Sequence, residues 1–173
     1  MPDGGGPAQM QDFTPGEDNA HDFRSALGQY ATGITIVTCQ SDDKPMGITA
    51  NSFASVSLDP PLVLWSPAKS SRRYQAFADA GHFAIHVLGA EQKEVCGHFA
   101  RQGHGFEGLD WIRNADGVPL ISGCLARFEC TVFAQYDGGD HLIIVGEVQR
   151  AAKREGEALL FAHGSYGRFT AAV

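Results

Sequence analysis

The chain has 173 residues, 43% of them hydrophobic, which is enough to bury one apolar core without disulfides or metal ions. Its net charge of -7 offers no basic face for nucleic acid or for an anionic membrane. The cysteines lack C-x-x-C spacing, which favours free buried thiols in a reducing compartment. No apolar run approaches the ~20 residues that span a bilayer, and no secretory leader is evident. We therefore expect a cytoplasmic protein with no nucleic-acid or membrane partner.

The N-terminal segment differs from the rest of the chain in composition. Residues 1–20 are rich in glycine, proline and acidic side chains, and they predict a flexible tail before a single domain over 21–173. A short helix is expected over about 20–31, with Phe23, Leu27 and Tyr30 along one side.

Short strand-like runs make up most of the remaining sequence. They lie at 33–39, 47–57, 62–66, 82–88, 124–136 and 141–151. Helical spacing appears in two other segments, 70–81 and 91–101. Many short strands with few helices predict a mainly β fold, a closed or partly closed antiparallel barrel with a few short helices.

The stretch TANSFASVSLDPP, residues 49–61, combines strand-forming residues with an unusual number of hydroxyl side chains. Because alternate residues of a strand face opposite sides, one side could be apolar core and the other a row of hydroxyls. The pattern alone leaves two interpretations open. The stretch is either a solvated edge strand, or a strand end and loop that grip the phosphate and ring edges of a cofactor.

Two motifs suggest ligand binding but fail on context. GHGFEG, residues 103–108, matches a dinucleotide fingerprint, yet a helical segment precedes it and turn residues follow, so we expect a loop. His82 and His86 have the spacing of metal ligands on a helix, but on a strand they lie ~13 Å apart. No metal site is expected.

Two further segments carry polar groups that could meet a ligand. In PAKSSRRY, residues 67–74, Ser70 or Ser71 can cap the following helix, where Arg72 and Arg73 are unfavourable unless an anion compensates them. An ordinary capped helix with solvated arginines remains the alternative. In DGGDHLIIVGEV, residues 137–148, Asp-Gly-Gly predicts a hairpin turn, and the Asp-His pair after it is either a surface pair or a ligand contact.

In their order, these segments resemble the short-chain flavin reductase family. The resemblance runs from about residue 22 to residue 170 and rests on TGITIVTC, GITANSFASVSLDPPLVLWSPAKSSRRYQAF, FAIHVLGAEQKEVCGHFA, GCLARFECTVFAQYDGGDHLIIVGEV and LLFAHGSYGRF. It implies an FMN-binding split β-barrel with Greek-key-like strand order, usually a homodimer that holds flavin across the subunit interface. Such proteins oxidise NADH or NADPH and reduce FMN or FAD, often for a separate flavin-dependent monooxygenase.

The resemblance also implies roles for particular residues. Flavin contacts fall to Thr49, Ala50, Asn51, Ser52 and the backbone of Ser66, Pro67 and Ala68, while Val56 and Leu58 pack the barrel. Ser71 would hold phosphate, and Phe99, Ala100 and Arg101 would close the pocket. His141 and Tyr166 would face the nicotinamide, with Asp140 orienting His141. No nucleophile or general base is required, because the flavin carries the chemistry.

Two features depart from the family pattern. Trp65 would narrow the flavin site or contact the partner subunit, and the paired arginines Arg72 and Arg73 would favour the extra phosphate of FAD or of NADPH. Three other functions stay open from the residues. They are a flavoprotein that keeps its flavin and reduces a corrinoid or ferric ion, a non-catalytic module that binds flavin or pyridoxine phosphate, and a structural interaction domain.

Overall fold

The structure, a computed structural model, describes residues 10–170, in which twelve strands and three short α-helices follow one another. The strands are β1 (Thr32–Gly33), β2 (Thr35–Ser41), β3 (Lys44–Ala50), β4 (Ala54–Leu58), β5 (Pro61–Trp65), β6 (His82–Val87), β7 (Trp111–Arg113), β8 (Pro119–Ile121), β9 (Ala126–Gly138), β10 (His141–Lys153), β11 (Leu159–Ala162) and β12 (Ser165–Arg168). The helices are α1 (Ala20–Leu27), α2 (Tyr74–Ala78) and α3 (Lys93–Arg101), and single 3₁₀ turns lie at Glu17–Asn19 and Ala90–Gln92.

Seven strands form one antiparallel sheet in the order β3-β2-β6-β9-β10-β5-β4. Its two edge strands, β3 and β4, are joined by only the three residues 51–53. Seven flat strands would separate the two edges by about 29 Å, because neighbouring strands lie about 4.8 Å apart. The connection spans at most about 14 Å, so the sheet must curl until its edges approach each other. A barrel split between β3 and β4 follows, and the predicted mainly β fold is confirmed.

The inside of the curled sheet holds the larger apolar cluster. Its fully buried members include Val37, Trp65, Phe77, Ile85 and Ile144. The Trp65 ring packs edge-on against Phe77 with centroids 5.0 Å apart. Trp65 is therefore a core residue, which corrects the expectation that it narrows a ligand site or meets a partner subunit.

A second cluster lies on the outer face of β2, where α3 and β11 cover the sheet. It contains Ile34, Ile36, Cys96, Phe99 and Phe106, all essentially buried. Because both faces of β2 are covered, five consecutive residues of this strand are buried. The two smaller sheets, β1-β11-β12 and β7-β8, complete this outer layer.

Most predicted strands and α3 appear close to their expected positions, but three expectations were wrong. The run 47–57 is not one strand: it divides into β3 and β4 at opposite edges of the sheet. Val56 and Leu58 do not pack the barrel, since they are 50% and 96% exposed on the edge strand β4. The helix expected over 70–81 shortens to α2, and neither Ser70 nor Ser71 occupies its N-cap.

The late start of α2 has a local cause. The backbone N–H of Ser71 donates to the Ala68 carbonyl at 3.0 Å, and the N–H of Tyr74 donates to the Ser71 carbonyl at 3.0 Å. The Ser71 hydroxyl accepts from the Arg73 N–H at 3.2 Å. These bonds hold residues 68–73 in turns, so the helix begins only at Tyr74.

The N-terminal prediction is only partly covered. Residues 1–9 lie outside the described residues, residues 10–16 have no helix or strand, and α1 begins at Ala20 within the expected helix. No residue of α1 is buried. The predicted apolar stripe is exposed, with Phe23 and Leu27 on α1 and Tyr30 three residues beyond its end. Within residues 10–170, none of the helices has the length and apolar character to cross a membrane.

Candidate functional site

The segment after β5 lies between the two regions that the sequence analysis assigned to ligand binding. On one side, the Ser66 N–H donates to the Ser52 hydroxyl at 2.9 Å. On the other, the Leu142 N–H donates to the Pro67 carbonyl at 3.1 Å, and Ala68 forms an isolated bridge with His141. The structure thus brings Ser52, the backbone at 66–68 and the start of β10 together around one end of the barrel.

The Asp-His pair lies at the tight turn between β9 and β10, as the hairpin prediction required. The His141 ring donates from Nδ1 to Oδ1 of Asp140 at 2.7 Å, and this hydrogen bond lowers the pKa of the Asp140 carboxyl. The Lys69 N–H donates to the Asp140 carbonyl at 2.8 Å, and the Lys69 ammonium contacts Asp137 at 2.8 Å. The other ring nitrogen, Nε2, has no hydrogen-bond partner among the described residues, and the His141 side chain is 44% exposed.

Arg73 connects α3 with the middle of β3. Its guanidinium donates to the backbone carbonyls of Phe99 at 2.5 Å, Gly47 at 3.3 Å and Ala100 at 3.3 Å. Two of these carbonyls belong to the last turn of α3, where a helix lacks internal donors. The Phe99 ring is buried in the outer core, and a Cβ added to Gly47 would lie 2.6 Å from that ring. The Arg73 hydrogen bonds and the close contact between Gly47 and Phe99 hold the end of α3 against β3. They thereby fix the position of Arg101, the last residue of α3.

A cationic cavity of about 460 Å³ opens where α3 ends. Its lining includes Ser71, Arg72, Arg73, Arg101, Gly103 and His104, and no carboxylate residue contributes to it. None of these arginines takes part in an ion pair among the described residues. Partial burial lowers the pKa of Arg73. Because partly buried cations are normally compensated, this cavity, which we call the phosphate cavity, is suited to an anion.

Thr49 and Tyr166 are linked through α3. The Thr49 hydroxyl donates to the Cys96 carbonyl at 2.7 Å, and the Cys96 thiol lies 3.4 Å from the Tyr166 phenol oxygen. This contact with the thiol raises the pKa of Tyr166. The Tyr166 ring also lies 5.5 Å from the Lys93 ammonium and packs against Phe161. The hydroxyl proton of Thr49 is used in the hydrogen bond to the Cys96 carbonyl. The Thr49 oxygen can therefore accept a hydrogen bond from a ligand but cannot donate one.

The predicted site residues therefore fall into connected groups. Asn51, Ser52, Ser66, Pro67, Ala68, Asp140 and His141 surround one end of the barrel, while Ser71 and Arg101 line the phosphate cavity. Thr49 and Tyr166 meet on α3, and none of the hydrogen bonds or ring contacts of the described chain joins Tyr166 to His141. Phe99 contributes only its backbone, because its ring belongs to the core.

The sequence did not indicate three residues that shape this region. Cys96 connects Thr49 with Tyr166, Lys69 ties the segment after β5 to the hairpin, and Gly103 accepts from the Gly47 N–H at 2.9 Å. Each acts through a contact between segments far apart in the chain. The only local signal was the glycine pattern at 103–108, which the structure confirms as a loop.

The residues fit a phosphorylated, polar planar ligand. The phosphate cavity supplies uncompensated cations, and the Asn51 amide, which is exposed and forms no hydrogen bond within the described chain, is free to bind ring-edge groups. Within residues 10–170, no three His, Cys, Asp or Glu side chains cluster as metal ligands. Flavin mononucleotide has the required combination of a phosphate and a polar ring edge.

Asn51 and Ser52 should affect flavin binding in different ways. We expect Asn51→Ala to weaken flavin binding by about 1–3 kcal/mol, because a buried ligand group would lose its partner. Ser52→Ala should weaken it as well, through release of the Ser66 backbone. A fluorescence titration with FMN measures both, with circular dichroism as the control for folding. Unchanged affinity in both folded variants would identify the segment as an ordinary edge of the sheet.

Comparison with known proteins gives one consistent family. The model of the flavin reductase like domain matches residues 27–170. The chain is 58% identical over 158 residues to the FMN reductase (NADH) SmoA of Agrobacterium fabrum, covering 91% of each chain. It is 43% identical over 148 residues to the flavin-dependent monooxygenase reductase subunit HsaB of Mycobacterium tuberculosis, covering 83% of this chain and 79% of that one.

A solved structure agrees with the sequence comparisons. The NADH:FAD oxidoreductase SgcE6 of Streptomyces globisporus C-1027 superposes with a TM-score of 0.85 at 38% identity, covering 98% of this chain and 96% of that chain. At this level of similarity the fold is shared. The chain belongs to the flavin reductase like domain family.

Proposed function

We propose that this protein is an NAD(P)H:flavin oxidoreductase, which transfers hydride from NADH or NADPH to FMN or FAD. The observation that carries the proposal is the phosphate cavity next to the polar segment at 51–52 and 66–68, a combination that fits the phosphate and ring of a flavin. The names of the relatives SmoA and SgcE6 support flavin as acceptor and favour NADH as donor. The free cysteines of the described chain fit a reducing cytoplasm.

A bound flavin supplies the hydride-accepting ring, so the protein must bind, orient and shield rather than attack. Ser71 and Arg101 would hold the flavin phosphate, and the Ser66–Ala68 backbone would border the ring. His141, fixed by Asp140, would hold the nicotinamide nucleotide, with Tyr166 on the same stacking face. Positioning of this kind brings the two reacting rings together and can account for much of a rate enhancement.

We further propose a separate flavin-dependent monooxygenase as the partner that receives reduced flavin. The name of the relative HsaB, a reductase subunit of such an enzyme, supports this step. Reduced flavin would then leave the site, which the open, partly exposed surroundings of Asn51 and His141 permit.

We also propose that two copies of this chain form a homodimer. The edge strand β4 exposes Val56 and Leu58, and α1 exposes an unburied apolar stripe that includes Leu27, 59% exposed. Exposed sheet edges and apolar faces of this kind are usually covered by a partner. Sedimentation velocity should give a dimer, and a stable monomer that binds flavin with full affinity would contradict the proposal.

The function is tested by a matrix of donors and acceptors. NADH and NADPH are each combined with FMN, FAD and riboflavin, and nucleotide oxidation is followed by absorbance. We expect rapid oxidation of NADH with FMN and little with riboflavin, which lacks the phosphate. Flavin binding without nucleotide oxidation would leave a binding module. A yellow protein that oxidises NADH only with another acceptor would indicate retained flavin.

His141→Ala should affect the nicotinamide and spare the flavin. The ring would lose its contact with the nucleotide, so we expect a raised KM for NADH or a lowered kcat, depending on whether that contact forms in the ground state or in the transition state. Stopped-flow NADH kinetics and a flavin titration separate the two ligands, with Asp140→Asn as the variant that keeps the ring but changes its orientation. Loss of flavin affinity instead would move His141 to the flavin pocket.

A further inference from the structure

The phosphate cavity continues into a second cavity of about 570 Å³ on the side of α2 and the β2–β3 turn. Met46, Arg72 and His104 line both cavities, so they form the boundary through which the two connect. We call the second space the α2 cavity. A ligand larger than a phosphate monoester could therefore extend from one cavity into the other past Arg72.

The two cavities differ in chemistry. The phosphate cavity combines cations with no carboxylate, whereas the α2 cavity adds two carboxylates beside the one further cation Lys44, and the other polar residues that it adds are uncharged. The carboxylate and uncharged polar residues are Asp42, Asp79, Gln40, Ser41 and Gln75. Carboxylate, amide and hydroxyl groups suit the hydroxyls of a ribose and the edge of a nucleobase, and carboxylates would repel a phosphate placed deep among them. The α2 cavity thus suits a nucleoside, with its phosphates kept at the cationic boundary.

Arg72 is free to serve at that boundary. Arg73 uses its guanidinium to hold three carbonyls, but the Arg72 side chain forms neither a hydrogen bond nor an ion pair among residues 10–170. The phosphate cavity also has more cationic groups than one phosphate needs, since Arg72, Arg73 and Arg101 all line it. A second phosphate beside Arg72 would use this excess charge.

We propose that Arg72 sets the affinity of this site for FAD relative to FMN. The second phosphate of FAD contacts Arg72 at the boundary, and its adenosine half occupies the α2 cavity. This inference rests on the proposed flavin site. The alternative is that Arg72 binds the extra phosphate of NADPH.

The test is an equilibrium titration of FAD and FMN by fluorescence, which does not depend on turnover. We expect Arg72→Ala to lower the affinity for FAD about tenfold more than that for FMN, because one charge-assisted contact is lost for FAD alone. Arg101→Ala is the matched control, since Arg101 lines only the phosphate cavity and should weaken both flavins alike. Gln75→Trp, which fills the α2 cavity from the exposed side of α2, should also weaken FAD selectively.

The outcomes separate this inference from the proposed function. Equal losses for FAD and FMN in Arg72→Ala, or an unchanged ratio in Gln75→Trp, would overturn the role of Arg72 while the flavin site stands. A change confined to the preference for NADPH over NADH, measured in parallel, would assign Arg72 to the nucleotide donor and overturn the proposal. If wild-type protein bound neither flavin, the proposed function itself would fail.

Discussion

Arg73→Ala is expected to lower the free energy of unfolding by about 2 kcal/mol, even though Arg73 forms no ion pair with a carboxylate among the described residues. The guanidinium serves the carbonyls of Phe99 and Ala100 at the end of α3 and that of Gly47 on β3. Its removal leaves these carbonyls without that donor and loosens the last turn of the helix. For a domain of this size, the loss corresponds to roughly 4–8 °C in Tm.

The neighbouring arginine provides a matched control. Arg72→Ala removes the same side chain one position earlier, where it holds no carbonyl, so its effect should stay within about 0.5 kcal/mol of wild type. Arg73→Lys keeps the charge but loses the planar fork, and it should recover only part of the lost stability. Chemical denaturation of the three variants measures these differences. Equal stability of Arg73→Ala and Arg72→Ala would mean that the contacts with α3 contribute little.

Strands with strong local signals could be predicted from the sequence. For β9 and β10 these signals were long β-rich runs and an Asp-Gly-Gly turn, and for β6 a short apolar run bounded by glycine. The division of the run 47–57 into two strands could not be predicted. No glycine or proline interrupts the run at positions 51–53, and these three residues continue the alternation of the flanking strands. Which edge a strand joins is decided by the closure of the whole barrel, and no local pattern records that closure.

The limits for the site have the same physical origin. The hydroxyl of Ser52, predicted to contact the ligand, also accepts a hydrogen bond from the backbone N–H of Ser66, fourteen positions later, and no local pattern indicated this bond. Arg73 looked like one of two equivalent arginines, yet only Arg73 reaches α3. Composition could indicate an anion site near 67–74, whereas the division of labour between Arg72 and Arg73 depends on contacts that only the folded chain brings together.

Acid should destabilise this fold well above the range in which carboxylates titrate, because of one buried imidazole. His86 is fully buried on β6, where its Nδ1 donates to the Ile36 carbonyl at 3.0 Å and its Nε2 accepts from the Ile121 N–H at 3.1 Å. Burial, with a smaller contribution from the nearby Arg127 cation, lowers the pKa of His86 from 6.5 to about 4, despite the opposing hydrogen bond to Ile36. If Nε2 were protonated, it could no longer accept the hydrogen bond from the Ile121 N–H, and two donors would face each other.

The direction of the pH effect follows from these contacts. The unfolded chain takes up a proton on this imidazole below about pH 6.5, whereas the folded chain resists until about pH 4, so stability is complete above 6.5 and falls as the pH drops toward 4. The loss should reach about 3 kcal/mol across this window.

Urea unfolding from pH 7 to pH 4.5 should show a fall of the unfolding free energy with falling pH in wild type and a smaller fall in His86→Gln, which cannot titrate. The exposed residue His21 supplies the control, because His21→Gln removes an imidazole that the fold does not bury. Parallel slopes for wild type and His86→Gln would show that the buried imidazole does not control the acid response. A flatter slope in His86→Gln but not in His21→Gln would show that acid weakens the barrel where β8 covers β6.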